Sequence, residues 1–402
     1  MYSMVSASIY DNRYFPFLRK PYVSVEEKPS HFSCEFFVTT ASRAFGSRDD
    51  KLGISEIYGG FDQGVLADAM VATGKSDPVV GLVGLLENKK TGRSLPWRVT
   101  GKVQAQGFGV SWYKKINRFL GFGGNWYAMR ANSYLDFFIK KDSFTGNVTA
   151  EEALLLDEHR RTMLTDLCLN ENASDRLSMG DFDLYLKVGK SWDYVMKCKH
   201  VDCGIRMGAL LPAALRRNVN SPASVPFGGN GHYGFYCGAE AEFELKDDLK
   251  VGLLLQANKR FAQVYTERMP ALTESQIFGV LVGDARINPG PTLIFSPYVQ
   301  MESLRVGLGA RVQCTIIKHW QDTWKDCRYQ PSVPATLCHV EENSSWGAEI
   351  ISLRAFYDFG KDKAERNFLP VVYLSWDIPV QWLIAHRVAR TYEVSLGFEL
   401  SF

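Results

Sequence analysis

The 402-residue sequence has no apolar stretch that reaches the roughly 18 to 20 residues of a transmembrane helix. It also has no Pro-rich, Gly/Ser-rich or single-sign charged segment that would divide it into separate soluble domains. Its formal net charge is only +2, so it has no basic excess of the kind that binds nucleic acid. These absences exclude an α-helical membrane protein, provide no domain boundary and argue against nucleic acid as a partner.

The sequence also has little that would support catalysis or a cofactor. No pair of its eight cysteines has CxxC spacing and its seven histidines are scattered, so we expect no metal site. No glycine-rich loop follows a strand pattern and opens a helix, so we expect no nucleotide or other cofactor. His232 stands just before a strand pattern, but no serine lies two residues from it to act as a nucleophile. We therefore expect a protein that is not an enzyme.

What is abundant is the alternation of apolar and polar residues along about twelve segments, which is the period of a β-strand with one apolar face. In the second and third segments the phase changes near Gly107 and near Gly123 and Gly124, which predicts a bulge in each strand. The segments cover residues 32–38, 98–113, 119–139, 182–188, 201–209, 235–243, 251–257, 293–301, 306–316, 351–359, 370–376 and 388–402.

The connections between these segments alternate between short and long, apart from a brief one around residues 379–385 where a long one is due. An even number of antiparallel strands with all long connections at one end is typical of an up-and-down β-barrel, but half-buried strands of a large soluble protein alternate too. The long connections are residues 41–96, 141–178, 211–229, 263–290 and 318–345.

The last segment alternates apolar and polar residues up to the final residue, Phe402. With Tyr392 and Leu400 on the same face, it resembles the closing strand of Gram-negative outer-membrane β-barrel proteins, in which this pattern is the assembly signal. Arg390 departs from the pattern, which is tolerable only near a membrane boundary. The resemblance implies an outer-membrane location, insertion by the barrel-assembly machinery, and contact with outer-membrane lipid and lipopolysaccharide.

We therefore predict an all-β fold, a single transmembrane antiparallel up-and-down barrel over residues 31–402. In a bilayer every backbone polar group needs a partner, and only closure supplies one for the first and last strands. Residues 1–30 would be an N-terminal periplasmic segment. Because Met1–Tyr10 lacks the features of a secretory signal, we take the sequence as a mature form.

Two of the long connections carry helix signals. Thr149 and Glu152 have the spacing of a capping box, and Asp62 stands where it would cap a second helix. We expect short helices in the loops at both places. The connection over residues 41–96 is the longest, and we predict that it folds into the lumen as a plug, with an ordinary cap outside the barrel as the alternative.

If the apolar stripes face lipid, the charged stripes line the lumen. They carry both signs, so we expect a basic wall opposite an acidic cluster, or alternatively pairs of charges that form a structural network. The basic candidates are Lys102, Arg130, Arg206, Arg260, Arg311, Arg354 and Arg387, and the acidic ones are Asp181, Asp183, Asp202, Glu240, Glu242 and Glu244.

These features predict a porin-like channel of modest bore for passive diffusion of small polar or charged solutes, compatible with a homo-oligomer. One alternative is a non-conducting adhesin or envelope-structural barrel that works through its outer loops. The other is an outer-membrane lipid hydrolase. Cys327 and Cys338 lie in one polar connection at a spacing that permits a loop disulfide in an oxidising compartment.

Overall fold

The computed structural model describes residues 12–16, 30–46, 51–75, 94–140, 148–169, 172–195, 198–246, 248–360 and 369–402. Within them, antiparallel strands form one sheet that closes into a 12-stranded barrel, which confirms the predicted fold. The barrel strands are β1 (Ser30–Ala41), β2 (Pro96–Lys115), β3 (Leu120–Ile139), β4 (Phe182–Asp193, preceded by its extension Ala173–Met179), β5 (His200–Leu211), β6 (Gly234–Lys246), β7 (Leu249–Arg260), β8 (Thr292–Arg305), β9 (Leu308–His319), β10 (Trp346–Asp358), β11 (Leu369–Val380) and β12 (Tyr392–Ser401).

Closure depends on the pairing of β12 with β1, in which Phe36 lies opposite Leu396. Ser30 and Phe402 exchange two backbone hydrogen bonds of 3.0 Å, so both chain ends of the barrel lie together at the end where the tight turns are found. We call this the turn end. The opposite end carries the long connections, and we call it the loop end.

The described parts of the loops contain three helices, α1 (Gln63–Ala72), α2 (Ala150–Asp166) and α3 (Cys338–Ser344). Asp62 caps α1 through Gly64 and Val65, and Thr149 and Glu152 form a capping box on α2, so both predicted caps are confirmed. None of the described helices has the length and apolar character needed to cross a membrane. One accessory sheet is formed by the short strands Gln263–Met269, Leu281–Asn288 and Thr323–Asp326, and a second by Ala44–Phe45, Lys51–Leu52 and Val388–Ala389. A further short strand, Phe61–Asp62, extends the barrel sheet beside β2. The described 3₁₀ turns are Glu56–Tyr58 and Gln276–Phe278.

The apolar stripes face outward and the polar stripes face inward. Phe36 on β1 is 60% exposed and Val312 on β9 is 52% exposed, whereas Glu35 on β1 and Arg311 on β9 are buried. A soluble protein would place these stripes the other way round, since water would then surround the outer face. The described residues therefore form a transmembrane barrel with an apolar belt.

Strands β2 and β3 extend beyond the belt at the loop end, and there the pattern reverses. Val99 and Val103 point inward into an apolar cluster, while Lys102 points outward. The β2–β3 ladder has no register shift, so the predicted bulges are wrong. The phase change instead marks the level at which the outer surface passes from lipid to water, where apolar side chains pack inward as in a soluble protein.

This reversal corrects two of the predicted lumen residues. Lys102 lies on the outer surface of β2. Arg130 lies on the outer surface of β3, where it forms an exposed ion pair with Asp175. Both side chains belong to the water-exposed wall above the belt, so neither lines the lumen.

Inward-facing tyrosines in the belt lie flat against glycines of the neighbouring strand. A Cβ at Gly252 would stand 2.0 Å from the ring of Tyr298, which shows how closely the ring approaches the backbone of β7. The Tyr298 hydroxyl donates to Glu242, and Arg311 stacks on the same ring at 3.6 Å. The same packing occurs for Tyr113 on Gly121, Tyr127 on Gly180, Tyr185 on Gly123, Tyr236 on Gly208 and Tyr373 on Gly397.

We predict that Gly252→Ala destabilises the barrel, because the new methyl group displaces a buried ring that is held on two sides. Overpacking of this kind costs about 1 to 3 kcal/mol. The measurement is the midpoint of urea unfolding in lipid vesicles. Gly60→Ala is the matched control, since a Cβ at Gly60 meets nothing within 4 Å. Equal midpoints for the two variants would contradict the packing argument.

Candidate functional site: the lumen and its cavity at the loop end

Residues 12–16 lie inside the barrel near the loop end. The amide of Ala389 donates to the carbonyl of Arg13 at 2.9 Å, and the Thr391 hydroxyl donates to the carbonyl of Tyr14 at 2.5 Å. Phe15 is fully buried. The prediction of a periplasmic segment over residues 1–30 is therefore wrong for these five residues. Residues 1–11 and 17–29 of that range lie outside the described residues.

The connection between β5 and β6 also enters the lumen. The hydroxyl groups of Tyr127 and Ser133, which point inward from β3, donate to the carbonyls of Phe227 and Ala223. This connection therefore runs along the inner surface of the wall down to the level of Tyr127.

In the predicted plug, the described parts of residues 41–96 pack against inward-facing side chains of β2 at the loop end. Ile54, Ile57 and Phe61 share one buried apolar cluster with Trp97 and Val99. Residues 47–50 and 76–93 of this connection lie outside the described residues.

One buried arginine joins three of the loops. Arg268 donates from Nη2 to the carbonyl of Leu167 at 2.6 Å, from Nε to that of Val219 at 2.6 Å, and from Nη1 to that of Gly279 at 3.0 Å. Burial lowers the pKa of this guanidinium to about 10, so it remains charged at neutral pH. One buried cation thus joins three of the loops that fill the loop end.

Deeper in the lumen, charged side chains pair with neighbours along the wall. Glu240 on β6 contacts Lys187 on β4 and accepts from Arg206 on β5 at 3.1 Å, with all three side chains buried. On the next strands, Lys250 contacts Glu302 at 2.8 Å. The predicted opposition of a basic wall to an acidic cluster is therefore wrong here, and the alternative of a paired network describes these residues.

The remaining candidates occupy several environments. Arg260 pairs with Asp181 at 2.9 Å near the loop end. Arg354 pairs with Glu399 at 3.4 Å in the belt. Three other acidic candidates accept hydrogen bonds, Asp183 from Asn125, Asp202 from Ser191 and Glu242 from Tyr298, while Glu244 is buried beside β7. Arg311 stacks on the ring of Tyr298. Arg387 lies in the β11–β12 loop and donates to the carbonyl of Glu342.

Several lumen residues were not among the candidates chosen from the sequence. Lys187, Lys250 and Glu302 carry ion pairs of the network, and Glu35 and Glu393 are buried on β1 and β12. Lys187 and Glu35 stand in the polar phase of clear alternating segments, which is a signal that could have identified them. Their pairing could not be predicted, because it depends on the register between strands that are distant in sequence.

The loop end contains a cavity of about 130 Å³ inside the barrel. Its floor and one wall come from inward-facing residues at the ends of β7 to β10, which stand side by side in the ladder. These are Asn258 on β7, Thr292 on β8, His319 on β9 and Trp346 on β10. The other walls come from residues 12–13, Tyr58 and the loops that contain Arg217, His232 and Glu267.

The histidines of this cavity have defined partners. His319 bonds to the Thr292 hydroxyl at 2.8 Å and to Asp322 at 2.9 Å, and its ring stacks on Trp346. His232 bonds through Nδ1 to the carbonyl of Phe261 at 2.9 Å, and burial lowers its pKa, so it is neutral at pH 7. Among the described residues, no group of three or more potential metal ligands is placed to hold a metal ion.

The cysteines divide between the belt and the loops. Cys34, Cys203, Cys237 and Cys314 lie on the outward face of their strands, where a thiol behaves as a small apolar group. Cys327 and Cys338 are exposed and both thiols are free, so the predicted loop disulfide is absent. The two cysteines lie in separate elements, because Cys338 is the first residue of α3 and Cys327 lies outside that helix.

The fold is similar to those of solved outer-membrane proteins. An outer membrane channel from Pseudomonas putida F1 shares 9% identity over 94% of this chain and 97% of that chain, with a TM-score of 0.49. The Pseudomonas putida toluene transporter TodX shares 10% identity over 93% and 89%, with a TM-score of 0.32. The translocator domain of the autotransporter NalP from Neisseria meningitidis shares 8% identity over 94% and 90%, with a TM-score of 0.34.

These similarities assign no substrate to this chain, since their TM-scores are below 0.5. No protein-family model and no curated protein matches the sequence. The closed barrel, its outward apolar belt and its polar interior define the class directly. The chain is a multi-pass outer-membrane β-barrel protein, as the resemblance of residues 388–402 implied.

We predict that Glu240→Gln strongly destabilises the barrel, because it removes the carboxylate that two buried cations contact. Breaking a buried ion pair by removal of one partner costs about 3 to 5 kcal/mol. The check is urea unfolding in lipid vesicles. The matched control is Asp175→Asn, which removes the carboxylate of the exposed Arg130 pair and should leave the unfolding midpoint unchanged. A Glu240→Gln barrel as stable as the control would show that the network contributes nothing.

Proposed function

We propose that this protein is an outer-membrane channel for small polar or charged solutes, closed in the present state by residues 12–16 and by loops that fold into the lumen. The observation that carries the proposal is the polar lumen of the belt, where charged and hydroxyl side chains face inward from adjacent strands. A barrel with a merely structural role would have no need of this costly interior, since apolar packing would stabilise it equally well or better.

Buried polar atoms in the belt support a hydrated path through the lumen. The hydroxyl of Tyr113, Oδ1 of Asp202 and Nε of Arg311 are buried and have no hydrogen-bond partner among the described residues. Such groups are normally satisfied by internal water. A lumen hydrated in this way would admit a small polar solute, whereas an apolar solute would have to displace the water.

Passage requires movement at the loop end, because the inward-facing side chains of the described strands are largely buried. The segment that would have to move is residues 12–16. Its carbonyls accept from Ala389 and Thr391, Arg13 donates to loop carbonyls, and Phe15 lies in the apolar cluster of the loop end, while Arg268 joins the surrounding loops. A closure of this kind makes the channel selective, since a solute must compete with these contacts.

The two alternatives from the sequence have weaker support. A lipid hydrolase needs an accessible nucleophile beside its base. The described ring bond of His232 goes to a backbone carbonyl, and the hydroxyl beside His319 belongs to Thr292, which is buried. An adhesin would work through its outer loops, but several of these loops fold inward onto β2 and β3 instead of projecting from the barrel.

We expect the purified protein to give small conductance steps in planar bilayers and larger ones after Arg268→Met. This change leaves the carbonyls of Leu167, Val219 and Gly279 without their shared donor, which loosens the loops at the loop end. Arg286→Met is the matched control, because Arg286 is exposed on the accessory strand Leu281–Asn288. Vesicle swelling in sugar and amino-acid solutions should follow the same order.

The channel proposal fails if correctly inserted protein gives neither conductance nor swelling in either the parent or the Arg268→Met form. Equal conductance in the two arginine variants would contradict the role given to the loops, while leaving a channel in place.

A further inference from the structure

We propose that the cavity at the loop end is a binding site for a small monocarboxylate, with Arg13 and Asn258 as the groups that recognise its charge. The role of this site in transport rests on the proposed function, to which it adds the class of solute. It follows from which polar groups of the cavity are already paired and which are not.

The two carboxylates of the cavity are paired within the protein. Glu267 is buried and accepts from Arg216 at 3.0 Å and from Arg217 at 3.2 Å. Asp322 accepts from His319 at 2.9 Å and from the amide of Gly290 at 2.7 Å. A ligand cation would therefore have to displace an existing partner before it could bind here.

The charged group that remains without an opposite charge is a donor. Arg13 donates only to carbonyls, those of Ile57 at 3.2 Å, Asn343 at 3.1 Å and Ser344 at 2.9 Å, and it forms no ion pair among the described residues. Its guanidinium also lies 4.7 Å from the centre of the Tyr58 ring. A buried cation solvated by neutral dipoles alone lacks a counter-ion, and the cavity beside it is where one would bind.

Asn258 is the second unmatched donor. It is 2% exposed, and its Oδ1 accepts from Gln256. Its Nδ2 is buried and has no acceptor among the described residues. Leaving an amide donor unpaired at a buried position is costly unless a ligand or water accepts from it. A carboxylate oxygen can accept a hydrogen bond from this donor, and its negative charge is attracted by Arg13.

The size and walls of the cavity limit the rest of the ligand. A volume of about 130 Å³ is close to that of an engineered cavity that holds benzene, at about 150 Å³. The ring of Trp346, stacked on His319, and Trp324 provide flat apolar surface for a short carbon skeleton. Among the described residues that line the cavity, Arg13 is the one cation without a carboxylate partner, so a single negative charge matches the site better than a dianion.

The test is a titration of the full-length protein, in detergent micelles, with sodium propionate. Isothermal titration calorimetry measures the heat of binding. Propionamide, which has the same shape without the charge, should bind at least about tenfold more weakly, because it loses the charge-assisted bonds. Asn258→Asp replaces the donor with a like charge of nearly identical shape and should weaken propionate binding by about tenfold or more. Asn132→Asp, at an exposed position on the outer face of β3, introduces the same charge elsewhere and should leave binding unchanged.

Equal binding of propionate and propionamide, or equal affinity in the two aspartate variants, would overturn the site. Should Asn258→Asp fail to fold, as judged by its heat-shift on a gel, Arg13→Gln provides the second variant and should weaken binding likewise. Binding without conductance would overturn the channel and leave the site standing. Conductance without saturable propionate binding would overturn the site and leave the channel standing.

Discussion

The structure depends on one constraint, that a backbone hydrogen bond cannot be left unmade in hydrocarbon. Each strand of the belt must be paired on both edges, and for the first and last strands this is achieved only by their pairing with each other. Once the sheet is closed, its two faces meet different media. The outer face must be apolar over the belt, and the inner face surrounds a space that the side chains, the loops or water must fill.

The interior is filled differently at its two levels. In the belt, tyrosines lie on glycines and charges pair between neighbouring strands, as Glu240 does with Lys187 and Arg206. At the loop end, apolar side chains of β2 and β3 enclose loop residues much as a soluble core does. The cavity lies at the junction, where the ends of β7 to β10 meet the loops. It is therefore bounded on one side by rigid strands and on the other by segments that can rearrange.

Much of the fold could be predicted because the two-residue period directly reports which face meets lipid. The strands, the closing strand around Phe402 and the caps at Asp62 and Thr149 all follow from local patterns. Lys102 and Arg130 were misplaced because polarity alone does not say whether a polar face meets a lumen or bulk water. The rule reverses where β2 and β3 leave the belt.

The candidate site was less predictable, since it is assembled from distant parts of the chain. Arg13 meets Ser344 across most of the sequence, and no periodicity links them. Asn258 was visible as a polar residue of β7, but its missing acceptor appears only when the neighbouring side chains are placed. Patterns of a few residues define elements, whereas sites of this kind depend on register and on loop paths.

The central claim is that apolar stripes face lipid while charged stripes face an enclosed interior. Photolabelling with a carbene-generating phospholipid in vesicles, with residue-level mass spectrometry, tests it most directly. The account predicts label on Phe36, Leu186, Leu255 and Val312, and none on Arg206, Tyr236 or Arg311. Label on the second set, or protection of the first, would contradict it.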